Sequence, residues 1–191
     1  MKTTIILAHP WRGSFNNAIL DVVQRELKDQ GKESILIDLN KEHFDPVMKE
    51  SELAVYSKGQ CLDEQVKKYQ TIIMDSNELI FIFPVWWYSI PAILKGFLDK
   101  VMLKNFAYQE SKMGMKGLLT HIEKATILST SQAPTWYLKY VMGNPIKNTF
   151  IKGTLRGIGI KNVKWLHHGN TTGGTDKERK NFLMKVGNYF K

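Results

Sequence analysis

Cysteine is nearly absent. Cys61 stands alone in 191 residues, which excludes a disulfide framework and a cysteine-built metal site and fits a reducing compartment. No apolar stretch is long enough to span a bilayer. The chain starts directly on a β pattern, without the plan of a signal peptide. Arginine is confined to Arg12, Arg25, Arg156 and Arg179, and no run of five or more basic residues occurs. The formal charge of +9 is therefore carried by scattered lysines. That is the pattern of a solvated surface, whereas a nucleic-acid face clusters its charge. Neither a Walker A loop nor a GxGxxG turn is present. These absences predict a soluble, cytoplasmic protein that binds no nucleic acid. The 43% hydrophobic fraction and the length suit one well-buried domain over residues 1–191.

What is present is alternation. Apolar β runs are expected at residues 1–8, 33–39, 79–83, 125–130 and 162–166, with helical patterns at 18–30, 50–58, 62–74, 91–103, 135–143, 146–155 and 176–190. Residues 105–120, with Gly114 and Gly117, read as a loop or short hairpin. Strands alternating with helices imply right-handed crossovers and a doubly wound parallel α/β sheet.

Two loops carry chemistry. The first strand stops at His9-Pro10, and Trp11, Arg12, Gly13, Ser14, Phe15, Asn16 and Asn17 precede a helix expected from Ala18. Ser and Asn there satisfy orphan backbone donors, and free N–H groups at a helix start bind anions. An ordinary capped helix is the plain alternative. The second loop follows the apolar run Leu79–Phe83: Pro84, Val85, Trp86, Trp87 and Tyr88, then a helix expected to open at Ser89 with Pro91 in its first turn. Three large aromatics in a strand-to-helix loop are placed to face a flat organic ring, unless the loop folds back into the core. Both loops lie at strand carboxyl ends, beside the point where such a sheet reverses direction and binds its ligand.

These loops resemble the flavodoxin-like NAD(P)H:quinone oxidoreductase family, which includes mammalian quinone reductases, general-stress proteins and accessory reductases of potassium-efflux systems. The resemblance rests on His9-Pro10, on Ser14-Phe15-Asn16 with Ala18, on the block from Phe83 to Val101, and on Phe106-Ala107-Tyr108 with the glycine-rich turn that follows. It implies a five-stranded sheet in the order 2-1-3-4-5. It further implies that His9, Ser14, Phe15 and Asn16 hold the phosphate and ribityl end of a flavin, FMN or FAD. Pro84, Val85, Trp86, Trp87 and Tyr88 would line the flavin ring, partly through backbone N–H groups.

By the same resemblance, NAD(P)H would give hydride to flavin N5, and a quinone, nitro or azo compound would then take both electrons as small-molecule acceptor. The flavin would carry the redox chemistry. Negative charge developing on its polar edge would need donors. Ser131 and Gln132, after the strand at 125–130, are candidates, with neither preferred. That segment lacks the Gly-Gly pair of the mammalian enzymes, so their catalytic tyrosine and histidine are not transferred. For Trp136 and Tyr137, a place in this loop site and packing of a helix onto the sheet both stand. The positive charge would steer anionic cofactors and argues against an electron-carrier flavodoxin. Family members are usually homodimers. A regulatory subunit with a membrane transporter partner, as in potassium efflux, is the alternative. His167 and His168, expected just past the fifth strand, have no third ligand at a metal-binding spacing, so no metal is expected.

Overall fold

β-branched and aromatic runs form the sheet because their side chains pack on a pleated, buried surface. The computed structural model describes residues 2–112 and 114–191. In chain order its elements are β1 (Thr3–Leu7), α1 (Phe15–Asp29), β2 (Ser34–Asp38), α2 (Glu50–Tyr56), α3 (Glu64–Met74), β3 (Glu78–Pro84), α4 (Ala92–Val101), β4 (Tyr108–Ser111), β5 (Gly114–Gly117), β6 (Lys124–Thr130), β7 (Val163–His168) and α5 (Asp176–Phe190). Two π-helical segments, Tyr137–Val141 and Ile146–Leu155, lie between β6 and β7. The main sheet is parallel throughout in the order β2-β1-β3-β6-β7, and β4 and β5 form a separate antiparallel hairpin. With the hairpin set aside, this is the expected 2-1-3-4-5 arrangement.

The pleat divides the core. Ile5, Leu7, Ile80, Ile82 and Leu128 face α1 and α5, where they meet Ile19, Val23, Leu27, Phe182 and Val186. Their neighbours Ile6, Phe81, Phe83 and Ile127 face the other layer, packing with Tyr69 and Ile73 of α3, Phe97 of α4, and Phe150 and Leu155. Both faces of β3 are covered, as a central parallel strand requires. Phe81 lies edge-on to Phe150 at 5.2 Å between ring centroids.

One buried cation joins three helices. Lys100 Nζ lies 3.1 Å from Glu52 and 3.0 Å from Asp63, and it also donates to the Asp45 carbonyl. Helix α2 has no fully buried residue, and this ion pair ties it to α4. Loop 41–48 closes over α4 at Gly96, where any Cβ would meet the Pro46 carbonyl oxygen at 2.3 Å.

Several boundaries differ from the sequence reading, each for a local reason. Helix α1 begins at Phe15, because Ser14 caps it by accepting from Asn17 N, so Phe15 and Asn16 sit in the first turn. Ser89 closes a turn, and α4 starts only at Ala92, with Pro91 as its N-cap. His167 and His168 are the last residues of β7, paired with Ser129 and Thr130. The helical stretches after β6 are π-helical, with bonds such as Met142 N to Tyr137 O and Arg156 N to Ile151 O. Gly143 and Asn144 separate them in left-handed conformation, at φ 67° and 53°. Among the described residues, no helix is long and apolar enough to cross a membrane.

Candidate active site

At the carboxyl end of β1 the chain turns sharply around His9. His9 Nδ1 accepts from Trp11 N at 3.1 Å, which leaves its proton on Nε2. Partial burial lowers its pKa and favours that neutral form. Ser14 Oγ accepts from both Asn17 N and Asn17 Nδ2, so its own proton remains available to a ligand. Asn16 is 3% exposed; its Nδ2 donates to Thr130 Oγ1, while its Oδ1 is buried with no partner. The N-terminus of the 15-residue helix α1 opens onto the same space. Arg12 is turned away, donating to Asn17 and Asp21.

The aromatic loop after β3 is a tight hairpin. Trp86 N donates to Ser89 O at 3.0 Å, and Ser89 N donates to Trp86 O at 2.9 Å. The two residues between, Trp87 and Tyr88, have φ of 48° and 61°. Positive φ at both central positions is the signature of a type I′ turn, where Asn-Gly is the favoured pair. A bulky residue in this region costs on the order of 1–3 kcal/mol. Trp87 is also 94% exposed. Tyr88 packs at 6.2 Å on Tyr137, which in turn meets Trp136 at 5.7 Å. Trp136 itself is 59% exposed, so packing of a helix onto the sheet does not account for it.

The facing wall comes from the ends of β6 and β7. Ser131 N donates to His168 O, while Thr171 N and Thr171 Oγ1 both donate to Ser131 O at 3.0 Å. Thr172 Oγ1 donates to Gln132 Oε1. Val85 N donates to Thr130 O at 2.6 Å and joins this wall to the aromatic hairpin.

Between the walls run two continuous clefts. One, of ≈ 380 Å³, lies between Trp86, Trp87 and Tyr88 on one side and Ser131, Gln132 and Ala133 on the other, with Leu138 at its floor. The other, of ≈ 160 Å³, contains His9, Ser14, Phe15, Asn16 and Pro84. Val85, Trp86, Ser131 and Gln132 line both. Every residue expected to hold the flavin, with Ser131 and Gln132, therefore borders this space, while Trp136 and Tyr137 line neither cleft. Trp11 of the first loop and Thr130 at the end of β6 also line the smaller cleft, and the sequence reading missed Thr171 and Thr172 beside them. The threonine pair after β7 was the available signal, hidden beside the histidines. His167 and His168 both border a separate cleft with Glu178, Phe182 and Lys185.

The donor set fits a flavin. A helix N-terminus, the Ser14 hydroxyl and the His9 Nε2–H suit a phosphate. The orphaned Asn16 Oδ1 suits a ribityl hydroxyl, and the aromatic hairpin suits a planar ring.

The model of the flavodoxin-like-fold family Flavodoxin_2 matches residues 1–188. The chain belongs to that family. A relative from Haemophilus influenzae named NAD(P)H oxidoreductase is 28% identical over 181 residues, 94% of this chain and 89% of that one. NAD(P)H dehydrogenase (quinone) 1 of Rattus norvegicus is 30% identical over 145 residues, 67% of this chain. The chain spans about half, 52%, of that longer protein. The solved NAD(P)H:quinone oxidoreductase of Methanothermobacter marburgensis superposes with a TM-score of 0.91 at 27% identity, covering 100% of this chain and 97% of that one. Within this family, and among such relatives, the chain is an oxidoreductase.

Proposed function

We propose that this oxidoreductase binds one FMN or FAD in the paired clefts and moves two electrons as hydride from NAD(P)H to a quinone, nitro or azo acceptor. The observation that carries this reading is the meeting of an anion-binding helix start and a strained aromatic hairpin in one space at the ends of β1 and β3. The flavin supplies the redox chemistry when bound.

The chain's own residues bind and orient. His9 Nε2–H, the Ser14 hydroxyl and the α1 N-terminus hold the phosphate, and Asn16 Oδ1 accepts from the ribityl chain. Trp86, Trp87 and Tyr88 form an apolar wall that excludes water from one side of the ring space. Ser131 and Gln132 bring polar groups to the other. Apart from Tyr88, no ionisable side chain lines the larger cleft, which favours neutral, flat acceptors that take their second proton from solvent. Trp87, Trp136 and the 82%-exposed Tyr140 leave a broad aromatic surface beside the cleft. A second copy of the chain covering that surface would complete the pocket, so the active form is a homodimer.

The test is direct. Purified protein titrated with FMN and with FAD should take up about one flavin per chain and then oxidise NAD(P)H when a quinone is added. Colourless protein that gains no flavin absorbance from either would reject the reading.

A further inference from the structure

A line of side chains runs from the sheet into the cleft wall. Trp165 Nε1 lies 2.8 Å from Ser129 Oγ, and Ser129 Oγ lies 2.8 Å from His167 Nδ1. His167 Nε2 lies 3.0 Å from Ser131 Oγ, which is 2.6 Å from the Ala133 carbonyl oxygen. Both ends have fixed polarity, since an indole N–H only donates and a carbonyl only accepts. The contact at Ala133 therefore takes the Ser131 proton, and Ser131 Oγ must accept from His167 Nε2. His167 Nδ1 is then bare and accepts from the Ser129 hydroxyl, whose oxygen accepts from Trp165. Each link uses one proton and none is left over. A second proton on His167 would make Nδ1 donate to Ser129 Oγ and turn the Ser129 hydroxyl proton out of the line.

We propose that His167 is a positioning residue for the cleft: as the neutral Nε2–H tautomer it locks the Ser131 hydroxyl onto the Ala133 carbonyl, and so decides which donors this wall offers a flavin. The inference rests on the flavin reading above. Its consequence is specific. The Ser131 hydroxyl is spent on Ala133 and its backbone N–H on His168 O. Gln132 Oε1 is occupied by Thr172, which leaves the Gln132 amide nitrogen as the donor that the Ser131 and Gln132 side chains offer the cleft. Burial, together with Lys139 and His168, holds the His167 ring neutral at physiological pH, in keeping with the proton count. Lys139 itself sits over the Trp165 ring at 5.3 Å.

Two measurements test this. The first uses ¹⁵N-histidine-labelled apo-protein at pH 7, with the His167 signals identified by their loss in His167→Gln. The expected pattern is a protonated Nε2 and a bare Nδ1. The second measures FMN and FAD affinity by fluorescence quenching in the wild type, His167→Gln and His167→Asn. A glutamine amide reaches the Nε2 position and keeps the bond to Ser131, whereas an asparagine amide reaches only toward Ser129. His167→Gln should stay within about twofold of wild type. His167→Asn should bind about tenfold more weakly, because the unpinned 131–133 turn no longer aims the Gln132 amide and that one hydrogen bond to the flavin is lost, and it should shift the midpoint potential of the bound flavin. Ser131→Ala should match His167→Asn, and the double variant should lose nothing further. An Nδ1–H or doubly protonated ring at pH 7, equal affinities in all chains, or equal damage from glutamine and asparagine would each overturn the inference. A wild-type chain that binds neither flavin would instead reject the flavin reading. The tautomer measurement would then decide the locked serine by itself.

Discussion

Trp87 separates a ligand-facing hairpin from a core-packed one by the sign of a stability change. The residue is 94% exposed and sits at φ 48°. Removing its ring from the isolated chain uncovers almost no buried surface. Replacing it with glycine also relieves the left-handed strain, on the order of 1–3 kcal/mol. The extra freedom of glycine in the unfolded chain offsets this by about 1 kcal/mol. Trp87→Gly should therefore be neutral or stabilising by about 0–2 kcal/mol. For a chain of this size that corresponds to a Tm between unchanged and about 8 °C higher. A core tryptophan would behave in the opposite way, costing roughly 3–5 kcal/mol on truncation.

The assay pairs differential scanning calorimetry of the apo-protein with flavin titration of the same sample. Scans at several protein concentrations distinguish a dimer contact, since loss of a covering second copy would make the change in Tm concentration-dependent. The expected result is an apo Tm that holds or rises at low concentration, with flavin affinity or acceptor turnover lost. A Tm lowered by more than about 6 °C at every concentration, with affinity and turnover intact, would refute the placement of Trp87 against a ligand.

At the helix start, Ser14→Gly removes the hydroxyl while glycine still serves as an N-cap at a cost of a few tenths of a kcal/mol. Flavin affinity should fall by about 1.5–3 kcal/mol, as for a lost hydrogen bond to a charged group, and an unchanged dissociation constant in titration would place the phosphate elsewhere. His167, lowered to about 4 by burial first and then by Lys139 and His168, should make stability depend on pH. Because its folded pKa lies below the unfolded value near 6.5, the unfolded chain binds the extra proton, and this contribution is full above pH 6.5 and is lost progressively as pH falls toward 4. Urea unfolding at pH 7 and pH 4.5 should show this loss in the wild type and a smaller one in His167→Gln; identical slopes would mean that the ring protonates freely in the folded state. Glu52→Ala should loosen α2 selectively, because that helix has no fully buried residue and Glu52 is its ion pair to Lys100. Hydrogen exchange over Glu50–Tyr56 should accelerate at least tenfold while β1 and β3 stay protected, and uniform protection would show another anchor.

The topology could be read from the chain because each strand announces itself twice, as an apolar run and as a run followed by a loop of a different character. Leu79 to Phe83 is the clearest case, since a strand buried on both faces has no polar alternation to blur it. The position of the candidate site follows from that topology, because the loops after β1 and β3 must emerge side by side. The finer geometry was hidden for reasons that differ from residue to residue. Trp87-Tyr88 gives no turn signal at all. A type I′ hairpin asks for Asn-Gly, and two bulky aromatics in its place argue locally against the conformation they adopt. Phe15 and Asn16 read as loop because paired asparagines are weak helix formers, yet the Ser14 cap draws them into the first turn. The lock on Ser131 lay beyond any local pattern. It joins residues 36 positions apart, and its direction depends on a backbone carbonyl that no residue type reveals. The candidate site therefore departs from local preference at the hairpin and depends on long-range bonds at the facing wall. Those two places, which sequence rules handle worst, are the ones that enclose the ligand space.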